Sequence, residues 1–126
     1  EIVESCYRHL PTVCSKVKKS NTVNTFWGDA FESIKLVEDS KYDKIFVDLN
    51  DDQYCIDLAR KNMKALKRIL KPGGVITAQV GSKDKKPKQV KNWCNVLEKS
   101  FGNVNVSGVY IPSFDCNWNF ASSIMK

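Results

Sequence analysis

Two acids in the stretch YDKIFVDLNDD, residues 42–52, are the side chains best placed to do chemistry, Asp48 and Asp51. Ile45, Phe46 and Val47 form a short β-branched and aromatic run bounded by charge, which predicts a strand buried on both faces of a parallel sheet. Asp48 follows at its carboxyl end, the place where open α/β sheets bind their ligands. Asp51 comes three residues later, so the two carboxylates can face one pocket, where they would attract a cation or take a proton from an amine. The competing reading is structural: Asp48 caps the next helix, and Asp51 and Asp52 decorate its first turn.

The elements that must position these acids follow from hydrophobic spacing. Ile2, Val3, Cys6, Leu10, Val13 and Cys14 recur at helical intervals, with Pro11 ending or kinking the helix and a loop at residues 18–22. Residues 23–27 read as a short strand stopped by Gly28-Asp29, and AFESIKLV at 30–37 reads as a helix. Asp29 therefore occupies a second strand-to-helix junction. The strand before Asp48 leads into a helix over 53–71, apolar at Ile56, Leu58, Ala59, Met63, Leu66, Ile69 and Leu70 and basic on its other side. Lys71-Pro72-Gly73-Gly74 ends that helix and turns the chain into a buried strand over 75–80, with Gln79 near its carboxyl end. A helix over 90–101 follows. Residues 104–111 and 118–125, joined by a turn at 112–117, predict an antiparallel hairpin. Strand-helix alternation closed by a hairpin is an α/β arrangement with a mostly parallel sheet.

With 126 residues and 42% hydrophobic content, the chain suits one globular domain. Neither an apolar run of about eighteen residues nor a leader peptide is visible, which points to a cytoplasmic protein away from membranes. Five scattered cysteines with no C-x-x-C pair read as reduced thiols, and a lone histidine, His9, gives no metal site. His9 reads as a partly buried structural residue, and Trp27, Trp93 and Trp118 read first as core. The net charge of +6 includes the run from Lys83 to Lys91, which lacks arginine and aromatics, so the charge is assigned to solubility rather than to nucleic acid.

Five motifs in register carry a resemblance. EIVESCYRHLP at 1–11, GDAF at 28–31, VDLNDD at 47–52, LKPGGVITAQVGS at 70–82 and IPSFDCNWNF at 111–120 together resemble the aminopropyltransferases, the spermidine, spermine and thermospermine synthases. The resemblance implies a Rossmann-like sheet of the S-adenosylmethionine-methyltransferase type, ending in an antiparallel hairpin. It implies decarboxylated S-adenosylmethionine as co-substrate, with no prosthetic group, and a polyamine such as putrescine or spermidine as acceptor. Asp29 with Ala30 would bind the adenine of the co-substrate, and Asp48 would accept or orient the proton of the attacking amine. Asp51 would help to hold the polyamine, while Gln79, Phe114 and Trp118 would line its channel. Both substrates are cations, so a basic protein needs a local acidic pocket.

The sequence departs from the family pattern at Asp52, where proline is usual, at Phe114, where spermidine synthases carry tyrosine, and in a short loop at 52–54. No glycine-rich nucleoside turn occurs, and the first two strands of the sheet are missing. The expectation is a single partial domain over 1–126, inactive by itself and completed by a homo-oligomer or by another polypeptide. The alternatives are a diverged, non-catalytic interaction domain of the same fold, or a methyltransferase, which would share the K-P-G-G turn without needing the Asp48–Asp51 pair.

Overall fold

The structure, a computed structural model, describes every residue except Asp51, and of Lys18 only the backbone. The chain divides into two compact units, Glu1–Ala30 and Phe31–Lys126.

The first unit holds helices α1 (Ile2–His9) and α2 (Pro11–Lys19). Leu10 leaves helical geometry at φ −125° and ψ 53°, and Pro11 opens α2 as its first residue, where a missing N–H costs nothing. The proline thus divides the predicted helix in two, and α2 runs into the expected loop. The strand expected over 23–27 does not form: the unit contains no other strand to pair with it, and Phe26 and Trp27 are exposed. His9 is likewise exposed.

Helix α3 (Ala30–Ser33) starts at the last residue of the first unit and continues in the second as a 3-10 turn over Ile34–Leu36. Strand β1 (Tyr42–Val47), helix α4 (Gln53–Ile69), strand β2 (Leu70–Gly81) and helix α5 (Pro87–Phe101) follow, then strands β3 (Asn105–Ile111) and β4 (Cys116–Ile124). The sheet order is β1-β2-β4-β3, with β1 and β2 parallel and β4 antiparallel to both its neighbours. The predicted hairpin is present, and its second strand is the one inserted beside β2.

Burial is one-sided. Ile76, Ala78 and Val80 of β2 alternate inward with Val47 and Ala121, against Ile56, Ala59, Met63 and Leu66 of α4 and Trp93, Val96 and Leu97 of α5. Phe46 lies on the other face and is 75% exposed, so β1 is not buried on both faces as its apolar run suggests. The reason is that α4 and α5 cover a single face of the sheet. Trp93 belongs to the core, whereas Trp27 does not.

Helix α4 ends two residues before its predicted stop. Pro72 disfavours helical geometry at Lys71, and Leu70 is already extended. The K-P-G-G segment is an irregular start to β2 rather than a free turn: the pairing jumps from Tyr42 with Leu70 to Lys44 with Val75. Gly73 takes φ +76°, its N–H donates to the Met125 carbonyl at 2.8 Å, and Met125 returns a bond to Gly74 O at 2.9 Å. Arg68 pins the segment before β1 to α4, donating to the carbonyls of Ile34 and Val37 and pairing with Asp39.

Candidate functional site

Because β4 runs against β1 and β2, its first residues lie at the edge where those two strands end. A cavity of about 600 Å³ opens there. Its floor is the uncovered face of the sheet, where Phe46 pairs with Thr77 and Gln79 with Phe120. Ile111, Phe114 and Trp118 wall one side, and Asp48 and Asn50, on the segment after β1, wall the other. Asp48 is the acidic residue of this lining among the described residues.

The alternation of a strand explains the position of Asp48. It stands two residues beyond Phe46, on the same uncovered face, while Val47 between them turns into the core. Among the described residues its carboxylate has no hydrogen-bond or ion-pair partner. The capping alternative is answered by Asp52: it holds the N-cap of α4 in extended geometry, and its Oδ1 accepts the Cys55 N–H at 2.8 Å.

Gln79 is fixed from two sides. Its Nε2 donates to the Leu49 carbonyl at 2.6 Å, and its Oε1 accepts the Trp118 indole N–H. An indole N–H can only donate and a carbonyl can only accept, so the two partners leave one orientation for the amide. Trp118 also packs against Phe114, with ring centroids 4.5 Å apart and planes tilted by 49°. Phe114 is held at the end of a 3-10 turn, Pro112–Phe114, by the Lys85 ammonium, which donates to its carbonyl at 2.9 Å. Asp115 follows in left-handed geometry at φ 46°, and its carboxylate accepts the Tyr110 hydroxyl at 2.6 Å, which raises the tyrosine pKa above its ordinary value.

Four of the predicted site residues, Asp48, Gln79, Phe114 and Trp118, therefore share one cavity. Asp51 lies outside the described residues. Asp29 and Ala30 belong to the first unit, where both are exposed. Sequence reasoning missed Asn50, Thr77, Ile111 and Lys85. Period-two alternation from Gln79 would have found Thr77, but a lysine holding a carbonyl 29 residues away has no local signal. Among the described residues no group of histidine, cysteine and acidic side chains could hold a metal, and no helix is long and apolar enough to cross a membrane.

The cavity, with an acid at a strand end and an aromatic hairpin across from it, coincides with a match over the whole chain: the spermine/spermidine synthase domain matches residues 1–126. The chain belongs to the spermine/spermidine synthase family. Among solved structures, it is similar to a spermidine synthase in complex with the transition-state analogue AdoDATO, at a TM-score of 0.82 and 15% identity over 98% of this chain and 43% of that one. Spermidine synthase from Thermotoga maritima gives 0.75 at 15% identity, over 98% of this chain and 40% of the other. The N-methyltransferase NodS from Bradyrhizobium japonicum WM9 gives 0.61 at 15% identity, over 94% and 68%. No curated protein sequence matches. The fold is thus the Rossmann-like sheet of the synthases and methyltransferases, and the family chain described here spans less than half the length of the two synthases.

Proposed function

We propose that the protein containing this chain transfers an aminopropyl group from decarboxylated S-adenosylmethionine to a polyamine such as putrescine or spermidine. The observation that carries the proposal is the Asp48 carboxylate, without a partner among the described residues, in a largely apolar and aromatic cavity, within a chain of this family. The amine lone pair attacks the aminopropyl carbon next to the sulfonium; the new C–N bond forms as the C–S bond breaks, and the thioether leaves with the electron pair. Asp48 takes the proton that the ammonium must lose before it can attack. Phe114 and Trp118 supply apolar and π surface for the methylene chain and its charges. Asp51 would help to hold the amine, and Asp29 with Ala30 would hold the adenine.

The reading extends to assembly and compartment. β1 is an edge strand whose second side pairs with no described strand, so the sheet is completed by another segment, another polypeptide or a second copy. Five free cysteines suit the reducing cytoplasm, without membrane or nucleic-acid partners.

The test is turnover by the intact protein and by Asp48→Asn, which keeps the shape but removes the charge and the base. Loss of a positioned general base costs about 10²–10⁴ in kcat, the range expected here with circular dichroism unchanged. Asp51→Asn should instead act on polyamine KM, because a carboxylate that only holds an ammonium contributes alike to ground and transition states. Near-normal kcat in Asp48→Asn would remove the acid from the mechanism.

A further inference from the structure

The bridge from Trp118 through Gln79 to Leu49 joins three separate parts of the fold. Trp118 stands near the start of β4, Gln79 near the end of β2, and Leu49 on the segment that carries Asp48 from β1 towards α4. Asp48 is exposed and unpartnered among the described residues, whereas Leu49 is half-buried and packs against the core. Its carbonyl, one peptide unit beyond Asp48, is gripped by the Gln79 amide at 2.6 Å.

We infer that Gln79 is a positioning residue: its amide, oriented by the Trp118 indole, holds the Leu49 carbonyl and so fixes the Asp48 carboxylate over the cavity. The inference rests on the proposed role of Asp48 and assigns Gln79 a task different from lining an amine channel. Both hydrogen-bonding ends of the amide are engaged within the protein. Oε1 takes the indole proton and Nε2 gives one proton to Leu49, which makes the side chain a strut more than a ligand. Trp118 then serves twice, as a wall of the cavity and as the group that sets the direction of the strut. A misplacement of about 1 Å in a reacting group can cost on the order of 10² in rate, so a strut one peptide from the base has leverage on kcat.

The experiment compares the intact protein with Gln79→Met, which removes both bonds at similar volume, and Gln79→Glu, which keeps the acceptor for Trp118 but loses the donor to Leu49. Two readouts are taken. The first is steady-state kinetics with spermidine or putrescine, and the second is NMR of the Trp118 indole N–H and of the Leu49 and Asn50 amides. The expected result is a fall in kcat of about 10–100-fold in both variants with amine KM within about twofold. The Leu49 and Asn50 amides should lose order in both, while the indole resonance moves strongly in Gln79→Met alone. In the double variant with Asp48→Asn, the Gln79 change should add little, as expected for residues acting through one another. A rise in amine KM with kcat preserved, or unchanged Leu49 and Asn50 amides, overturns the strut. The proposed role of Asp48 fails separately, by near-normal kcat in Asp48→Asn alone, and the NMR arm still judges the bridge in that case.

Discussion

Asp52 caps helix α4 by accepting the Cys55 N–H on its carboxylate at 2.8 Å, and this bond releases Asp48, four residues earlier, from any duty at the helix end. Three acids in a five-residue stretch make the cap ambiguous on paper. In the folded chain the acid adjoining the first helical residue takes the role, because a cap must stand in extended geometry immediately before the helix.

Asp52→Ala is therefore expected to lower stability by about 0.5–2 kcal/mol, while Asp52→Asn, a good cap in its own right, should retain most of it. Urea denaturation of the variants measures this. A second signal accompanies the first. Burial, and then the Asp52 carboxylate, hold the Cys55 thiol above its ordinary pKa, so Asp52→Ala should also speed the reaction of Cys55 with a disulfide reagent. Equal stability of the three proteins would show that the cap contributes nothing.

Gly108 in β3 faces Asn119 of β4 so closely that a Cβ at residue 108 would stand 2.9 Å from the amide nitrogen. Asn119 in turn accepts the Lys83 N–H at 2.8 Å, and the turn it anchors carries Lys85, the residue holding Phe114. Gly108→Ala should push the amide aside, cost about 1–3 kcal/mol and loosen the aromatic wall. Denaturation midpoints and the fluorescence of Trp118 report on the two effects. A variant with wild-type stability and an unaltered Trp118 signal would count against this chain of contacts.

The Tyr110 phenol donates to the Asp115 carboxylate, and that bond first, with burial second, raises its pKa. The sign is that of a group held neutral by folding. Its stabilising contribution is whole below the unfolded tyrosine pKa and disappears as pH rises through the higher folded value. Asp115→Asn should lower the Tyr110 midpoint while asparagine tolerates the left-handed backbone at φ 46°. The difference in tyrosinate absorbance between the two proteins during an alkaline titration isolates this one of four tyrosines. Superimposable titrations would mean that the bond is absent in solution.

Residues 1–126 alone are expected to give no aminopropyl transfer, because no glycine-rich nucleoside turn lies within them. Turnover of decarboxylated S-adenosylmethionine by this segment, with putrescine or spermidine as acceptor, would disprove that expectation.

The sequence alone determined the α/β class, the helices of the second unit to within three residues at either end, the terminal hairpin and the family, since each depends on local periodicity, on breakers or on motifs in register. Asp48, Gln79, Phe114 and Trp118 were singled out through those motifs, and the fold brings all four to one cavity. Tertiary structure decided what pairing and packing decide. Residues 23–27 have strand composition but no strand beside them in their unit, and a strand needs a partner for its backbone groups. Phe46 looks like core by type and is exposed, because α4 and α5 lie on the opposite face of the sheet. The Asp52 cap is a local bond to Cys55, settled by where α4 starts, whereas the span of the Gln79 amide from β4 to the segment bearing Asp48 depends on contacts 30 and 39 residues apart. The first forms only once β1 and β2 pair, and the second only once β4 is inserted beside β2.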